Sequence, residues 1–459
     1  MPPSEPINWE TVLGSFDPYN LEITSIFSKN YTDEPVNPDS DESLTAWTTM
    51  IHEWVHFMQF CSTTYGLLLT LNRIFQQFAL IRLCQTIGEL MKAHGETPVL
   101  YIPLRKAWSD AVYPQYLQQI INDFIVEWYS TELKVMTNHG VLAYSKGKST
   151  YQTLSPKILR KLKRTKAHAN VPLTVGHIVE PIAVGCVGQW LIQEFGIEQT
   201  AILMDKINPT GLVYTLLPQV ETELDINVHT RMVLHDLALM LPVEDRSSGK
   251  PATPQRYSPT TRMIASLELI ASGEVAQVPD SEPPSYLRLA SDLSRRLDWP
   301  DYESLVTAAL RKAKDFRTTF SEAMPYRQVI DDFVRGFEVR RRQPDAFVAI
   351  TPASFALYSS GWQPIWRQEE GWMHHDSQSV EQGNARLWAS LSIQASRAFV
   401  VGGTWECPLI RECEASSSRT RGFPSAGPGL KSCHCRVAVQ EATGWVFEPD
   451  QVISMETNR

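Results

Sequence analysis

No run of 18 uninterrupted apolar residues occurs anywhere in this chain of 459 residues. An apolar piece such as Gly66 to Leu71 soon meets Asn72 and Arg73, so no transmembrane helix is expected. The opening Met1-Pro-Pro-Ser-Glu-Pro6 lacks a basic region followed by an apolar one, and it does not read as a secretory signal. Cytoplasmic residence is the expectation. Cysteine is sparse and odd in number, with seven residues, which argues against a disulfide framework. Positive charge is in deficit too. Lys plus Arg number 42 against 51 Asp plus Glu, a formal net charge of −9, so general nucleic-acid binding is not expected. There is no internal repeat.

What is present is the composition of a folded protein. Hydrophobic residues make up 43% and charged residues 20%, which excludes a mostly disordered chain. Thirteen Trp, 17 Phe and 15 Tyr supply ample apolar area for a large core. At roughly 150 residues per domain, the length implies two or three domains.

Residues 1–40 are rich in Pro, Asn and Asp, with short β-like pieces such as Leu21-Glu-Ile-Thr-Ser-Ile26. The acidic stretch Asp39 to Ser43 offers several N-caps, so a helix should begin there. It would run through Trp47, Met50, Ile51, Trp54, Val55 and Met58, whose spacing is helical. Gly66 marks a break. Further helices are expected over Leu67 to Lys92, Pro114 to Leu133, Thr174 to Phe195 and Leu224 to Leu241, the last stopped by Pro242. Glu244 to Pro259 reads as a linker, and Val278 to Ser285 as a second breaker. Tyr286 to Arg342 is helical again. The flanks of a Ser- and Gly-rich loop, Phe399-Val-Val401 and Arg436 to Gln440, are β-like. The expected fold class is therefore mainly α with a small β-containing, Cys-rich tail. The chain divides into a motif-bearing domain over 1–243, a linker region over 244–285, a helical accessory region over 286–400 and a tail over 401–459.

One segment concentrates chemistry: His52-Glu53-Trp-Val-His56-Phe-Met-Gln59. His52 and His56 are four apart, so a helix places both imidazoles on one face, close enough to share a metal ion. Glu53, beside the first imidazole, can reach a water bound to that metal and serve as general base. The bulky uncharged neighbours Trp54, Val55, Phe57 and Met58 suit a helix buried in a domain core. The bland alternative is a core helix that carries two histidines by accident.

A catalytic zinc usually has three protein ligands and an open position. A metzincin continuation would need Gly at 59 and His at 62, where this chain has Gln59 and Ser62. No Asp, Glu or His occurs between Phe57 and Gly88, so the third ligand must come from further along. Glu180 is the first candidate. It lies in an apolar segment, where an unpaired carboxylate is costly. Ala183, Gly185 and Gly188 would let its helix approach the His52 helix closely. Pro181 disfavours helical backbone at Glu180, so the helix would kink or begin there. Glu127 and His177 are rival ligands, and His177 also suits an orienting or oxyanion-stabilising role. A di-iron bundle would need a second Glu-x-x-His, and none of the other histidines has Glu three residues before it.

Glu180-Pro-Ile-Ala183 after His52-Glu53-Trp-Val-His56 resembles the signature of gluzincin-type zincins, which are zinc metallopeptidases. The core ending at Gln59 is also similar to uncharacterised bacterial proteins with an H-E-x-x-H-x-x-Q pattern. The resemblance implies a helical zincin-like domain, a bound Zn2+ held by His52, His56 and Glu180, and Glu53 as general base. It also implies a protein or peptide substrate, with a regulatory partner protein as a further expectation. The competing class is a non-catalytic interaction protein whose zinc only ties helices together.

Cys407, Cys413, Cys433 and Cys435 fall within 29 residues and could hold a second, structural zinc, although neither pair is C-x-x-C. Cys61, Cys84 and Cys186 read as buried thiols. His374-His375-Asp376 reads as a solvated polar loop. Two basic runs, six Lys or Arg over Lys157 to Lys166 and four Arg over Arg335 to Arg342, read as solvated faces.

Overall fold

The computed structural model describes residues 14–17, 22–25, 36–71, 143–145, 148–150, 153–168, 170–171, 173–207, 211–243, 258–319, 325–348, 365–368 and 371–373. The described part is mainly helical. Contacts group the chain into two compact units, one of residues 1–69 and 133–377, the other of 70–132 and 378–459. Every element numbered below belongs to the first.

Helix α1, Asp41–Ser62, begins where the acidic stretch supplies a cap. The Ser40 side chain accepts the N–H of Ser43, and Asp41 and Glu42 place negative charge at the positive end of the helix dipole. From Ile51 onward α1 is enclosed nearly all round, which explains its lack of a charged face. The break after it falls at Thr63, three residues before Gly66, and residues 64–71 resume as helix.

Two β-strands precede α1: β1, Gly14–Asp17, and β2, Glu22–Ser25. They pair antiparallel with Phe16 opposite Ile23. Ile23 is fully buried, and Phe16 packs edge-on against Phe57 and Phe60 of α1. A hairpin of β3, Ala143–Ser145, and β4, Lys148–Thr150, forms a separate two-stranded sheet.

After a short helix α2, Pro156–Leu159, comes α3, Gly176–Ile207. Gly196 inside it has φ of 80°, a conformation that favours glycine, and there the helix bends. The bend folds the second segment back, so that Met204 lies over Gly188. Trp190 of α3 stacks on Trp47 of α1 at 6.0 Å. Gly185 lies against Met232. The glycines therefore admit methionines at these points, where close approach to α1 was expected.

Helices α4, Leu212–Glu223, and α5, Val228–Ala238, follow. The sequence pattern places one helix over Leu224 to Leu241. The chain instead turns at Asp225, with φ of 58°, and α5 starts at an Asn227 cap that accepts the N–H of Thr230. Pro218 lies inside α4, which a reading by helix breakers passes over.

The remaining helices are α6, Pro259–Ser272, α7, Pro283–Leu297, α8, Tyr302–Thr319, and α9, Pro325–Arg342. Proline opens α6 and α7 at a position where its missing N–H leaves no bond unmade. Helix α9 packs against α1. A Cβ placed on Gly336 would come within 2.4 Å of the Cys61 carbonyl oxygen, so the two backbones nearly touch. The basic run at the end of α9 is only partly a solvated face. Arg340 is fully buried, forming two hydrogen bonds to Asp236 of α5 at 2.6 and 2.7 Å, and Tyr286 of α7 donates to the same carboxylate at 2.5 Å. Strands β5, Ile365–Gln368, and β6, Gly371–Met373, extend the first sheet, with β5 parallel to β2. The β-like tail segments lie outside the described residues.

Among the described residues, no helix is long and apolar enough to cross a membrane.

Candidate metal centre

Helix α1 stacks the imidazoles of His52 and His56 one turn apart, edge to face, with ring centroids 4.6 Å apart. Their Nε2 atoms lie 3.0 Å from each other. The second turn of α3 brings in Glu180, whose Oε2 is 2.9 Å from His52 Nε2 and 3.2 Å from His56 Nε2. Pro181 follows inside the helix, so Glu180 is helical despite the bias of its neighbour. Among the described residues these three form the one group of His, Cys, Asp or Glu side chains arranged to hold a metal.

The geometry suits a small cation. Ligands at roughly 2.0–2.1 Å from a tetrahedral zinc sit about 3.3 Å from one another, close to the sides of this triangle. The donor chemistry also fits, since three lone-pair atoms at this separation need a shared positive charge. A proton on His56 could supply that charge. Burial alone would lower the pKa of His56, but the Glu180 carboxylate, with help from Glu53 and Gln59, raises it to about 9. Burial likewise pushes Glu180 upward, and the two imidazoles outweigh it and hold the carboxyl far below its ordinary range. A metal ion would displace that proton.

Gln59 sets the orientation of His56. It is one turn on, 2% exposed, and its Oε1 lies 3.3 Å from His56 Nδ1. An Nδ1–H donated to this carbonyl leaves the Nε2 lone pair facing Glu180 and His52. Among the described residues the Gln59 amide nitrogen has no hydrogen-bond partner. His52 and Glu180 retain 17% and 21% side-chain exposure, so these two donors are partly accessible to solvent.

Glu53 is 7% exposed and stands outside the donor group. Its charge nevertheless reaches the site, since it helps to raise both His56 and Tyr214. Tyr214, on the first turn of α4, was not legible in the sequence, where Gly211-Leu-Val-Tyr214 carries no motif. Its ring lies 6.2 Å from that of His52. Burial first, then the carboxylates of Glu180 and Glu53, push its phenol well above the ordinary value, so it keeps its proton.

His177, the rival ligand, is turned to another task. Its Nδ1 accepts the N–H of Thr174 at 3.0 Å and faces the Thr174 hydroxyl at 2.7 Å, bracing the start of α3. Its proton is therefore on Nε2, a buried donor without a partner among the described residues, and burial lowers its pKa. Cys61 and Cys186 are buried and form no disulfide. Glu127, Cys84, His374-His375-Asp376 and the four cysteines Cys407, Cys413, Cys433 and Cys435 lie outside the described residues. Comparison of the chain with family models, with curated proteins and with solved structures finds no match.

Proposed function

We propose that this protein is a zinc-dependent peptidase acting on a protein or peptide substrate, in a helical domain of zincin type. The observation that carries the reading is the convergence of His52, His56 and Glu180 with a second acidic residue, Glu53, beside the group yet outside it. A site that only tied helices together would close all four positions with protein ligands, and Glu53 would then have no task. Zinc held by the three donors would supply a Lewis acid for the scissile carbonyl and a water of near-neutral pKa. Glu53 would take the proton from the attacking water and pass it to the nitrogen of the leaving amine. Tyr214, kept protonated, would donate its O–H to the carbonyl oxygen as that oxygen gains charge. The partial exposure of His52 and Glu180 supports access by an extended peptide. Buried cysteines at positions 61 and 186 that form no disulfide support a cytoplasmic location.

Glu53→Gln tests the assignment. Gln cannot accept the proton, so peptide turnover should fall by about 10²–10⁴, while zinc content, measured by elemental analysis, stays near one per chain. Equal turnover in the variant and the parent protein would remove Glu53 from the mechanism. Loss of zinc from the variant would make Glu53 a ligand and favour the closed, structural site.

A further inference from the structure

Behind the donor cluster lies a buried ion pair that touches neither histidine of the motif. His235 of α5 and Glu221 of α4 are each 1% exposed. His235 Nε2 is 2.6 Å from Glu221 Oε1, and its Nδ1 is 2.7 Å from the carbonyl oxygen of Ile178. The carbonyl oxygen and an ionised Glu221 carboxylate can only accept a hydrogen bond, so beside ionised Glu221 both ring nitrogens donate and the ring is an imidazolium held in the protein interior.

Its placement relative to α3 is what matters. Ile178 lies two residues before Glu180. Pro181 has no N–H to give the His177 carbonyl, so this turn of α3 lacks one of its own rungs. His235 donates to the adjacent carbonyl and ties the weakened turn to α5. Helix α4 also packs against α3. Its residues Tyr214 and Glu221 are two turns apart, one near the donor cluster and the other gripping His235. Stability alone does not account for the pair, because a buried ion pair replaced by apolar residues of equal volume is often neutral or stabilising.

Resting on the metal-site reading above, we infer that Glu221 and His235 are positioning residues: through the Ile178 carbonyl they fix the turn of α3 that aims Glu180 at His52 and His56. They act through the backbone and touch neither metal nor substrate.

Two substitutions at one position test this in the full chain. In His235→Asn the amide nitrogen occupies the place of Nδ1 and retains the bond to Ile178. In His235→Gln it reaches the place of Nε2, retaining the contact with Glu221 and losing the one with Ile178. Zinc affinity is read by competition with a chromophoric chelator, and the unfolding midpoint of each metal-free protein is recorded alongside. The Gln variant should lose about 10–100-fold in zinc affinity, as outer partners of metal ligands do, while the Asn variant stays close to the parent. Equal affinity in the folded Gln variant and the parent overturns the inference, as does an equal loss in both variants. Should the Gln variant not fold, Glu221→Gln decides together with His235→Asn. Its amide can donate to Nε2 while Nδ1–H still points at Ile178, so affinity should hold, and a large loss would show that charge rather than the hydrogen bond matters. A parent protein that binds no zinc would overturn the metal reading itself, and this inference with it.

Discussion

His56 shows how closely each atom of the cluster is specified. Its Nε2 must carry a lone pair to serve as a ligand, and that depends on where the ring's proton sits. Gln59 draws the proton to Nδ1 from one turn away. Two substitutions separate a ligand from an orienting residue. Glu180→Ala removes a donor and should abolish stoichiometric zinc binding. Gln59→Leu removes only the acceptor for Nδ1–H, and should weaken zinc affinity by about 10–100-fold without preventing saturation. Chelator competition on both proteins distinguishes the outcomes, and equal losses would mean that Gln59 does more than orient the ring.

At the scale of elements, the centre is a junction of α1 and α3, steadied by their neighbours. Helix α9 presses on α1 through Gly336, where a Cβ would meet the Cys61 carbonyl. Gly336→Ala should therefore cost about 1–3 kcal/mol, as overpacking does, and appear as a lower midpoint in denaturant unfolding. An unchanged midpoint would mean that α9 can move away freely. The pair joining α4 and α5 has a pH signature. Burial and Arg231 lower the His235 pKa, but Glu221, aided by the Ile178 carbonyl, raises it above the ordinary 6.5. The folded state then holds a proton that the unfolded chain releases. The pair's contribution is complete below pH 6.5 and is lost as pH rises through the raised folded-state value. In the metal-free protein, the stability advantage of the parent over His235→Asn should shrink on going alkaline. An advantage that grows instead would mean a neutral ring.

Across the whole molecule, zinc bound to the folded form alone would hold it against unfolding by about 2.7 kcal/mol at a hundredfold excess over Kd. Chelator should therefore lower the thermal midpoint of the parent protein and leave a His52→Ala, His56→Ala double variant unmoved. An identical shift in both would place the zinc elsewhere, with the four C-terminal cysteines the next ligands to test.

The two imidazoles and Glu53 were legible in the sequence because their relation is local: four residues make one helical turn, and the acidic Ser40 to Glu42 region starts that helix in the right place. The mainly helical class was legible for the same reason, since helical periodicity and capping act over a few residues. The third member of the cluster was legible only as a choice among Glu180, Glu127 and His177, and Glu127 lies outside the described residues. Glu180 and His177 share a helix and differ by three residues, and burial penalises either. Packing turns His177 toward Thr174 and brings Glu180 to the two imidazoles of α1. The same holds for Tyr214, which no motif marks, for Arg340, which looks like one more surface charge until Asp236 lies opposite it, and for the pairing of His235 with Glu221. Each depends on residues from helices that meet only in the folded chain, and no spacing along the sequence encodes those meetings.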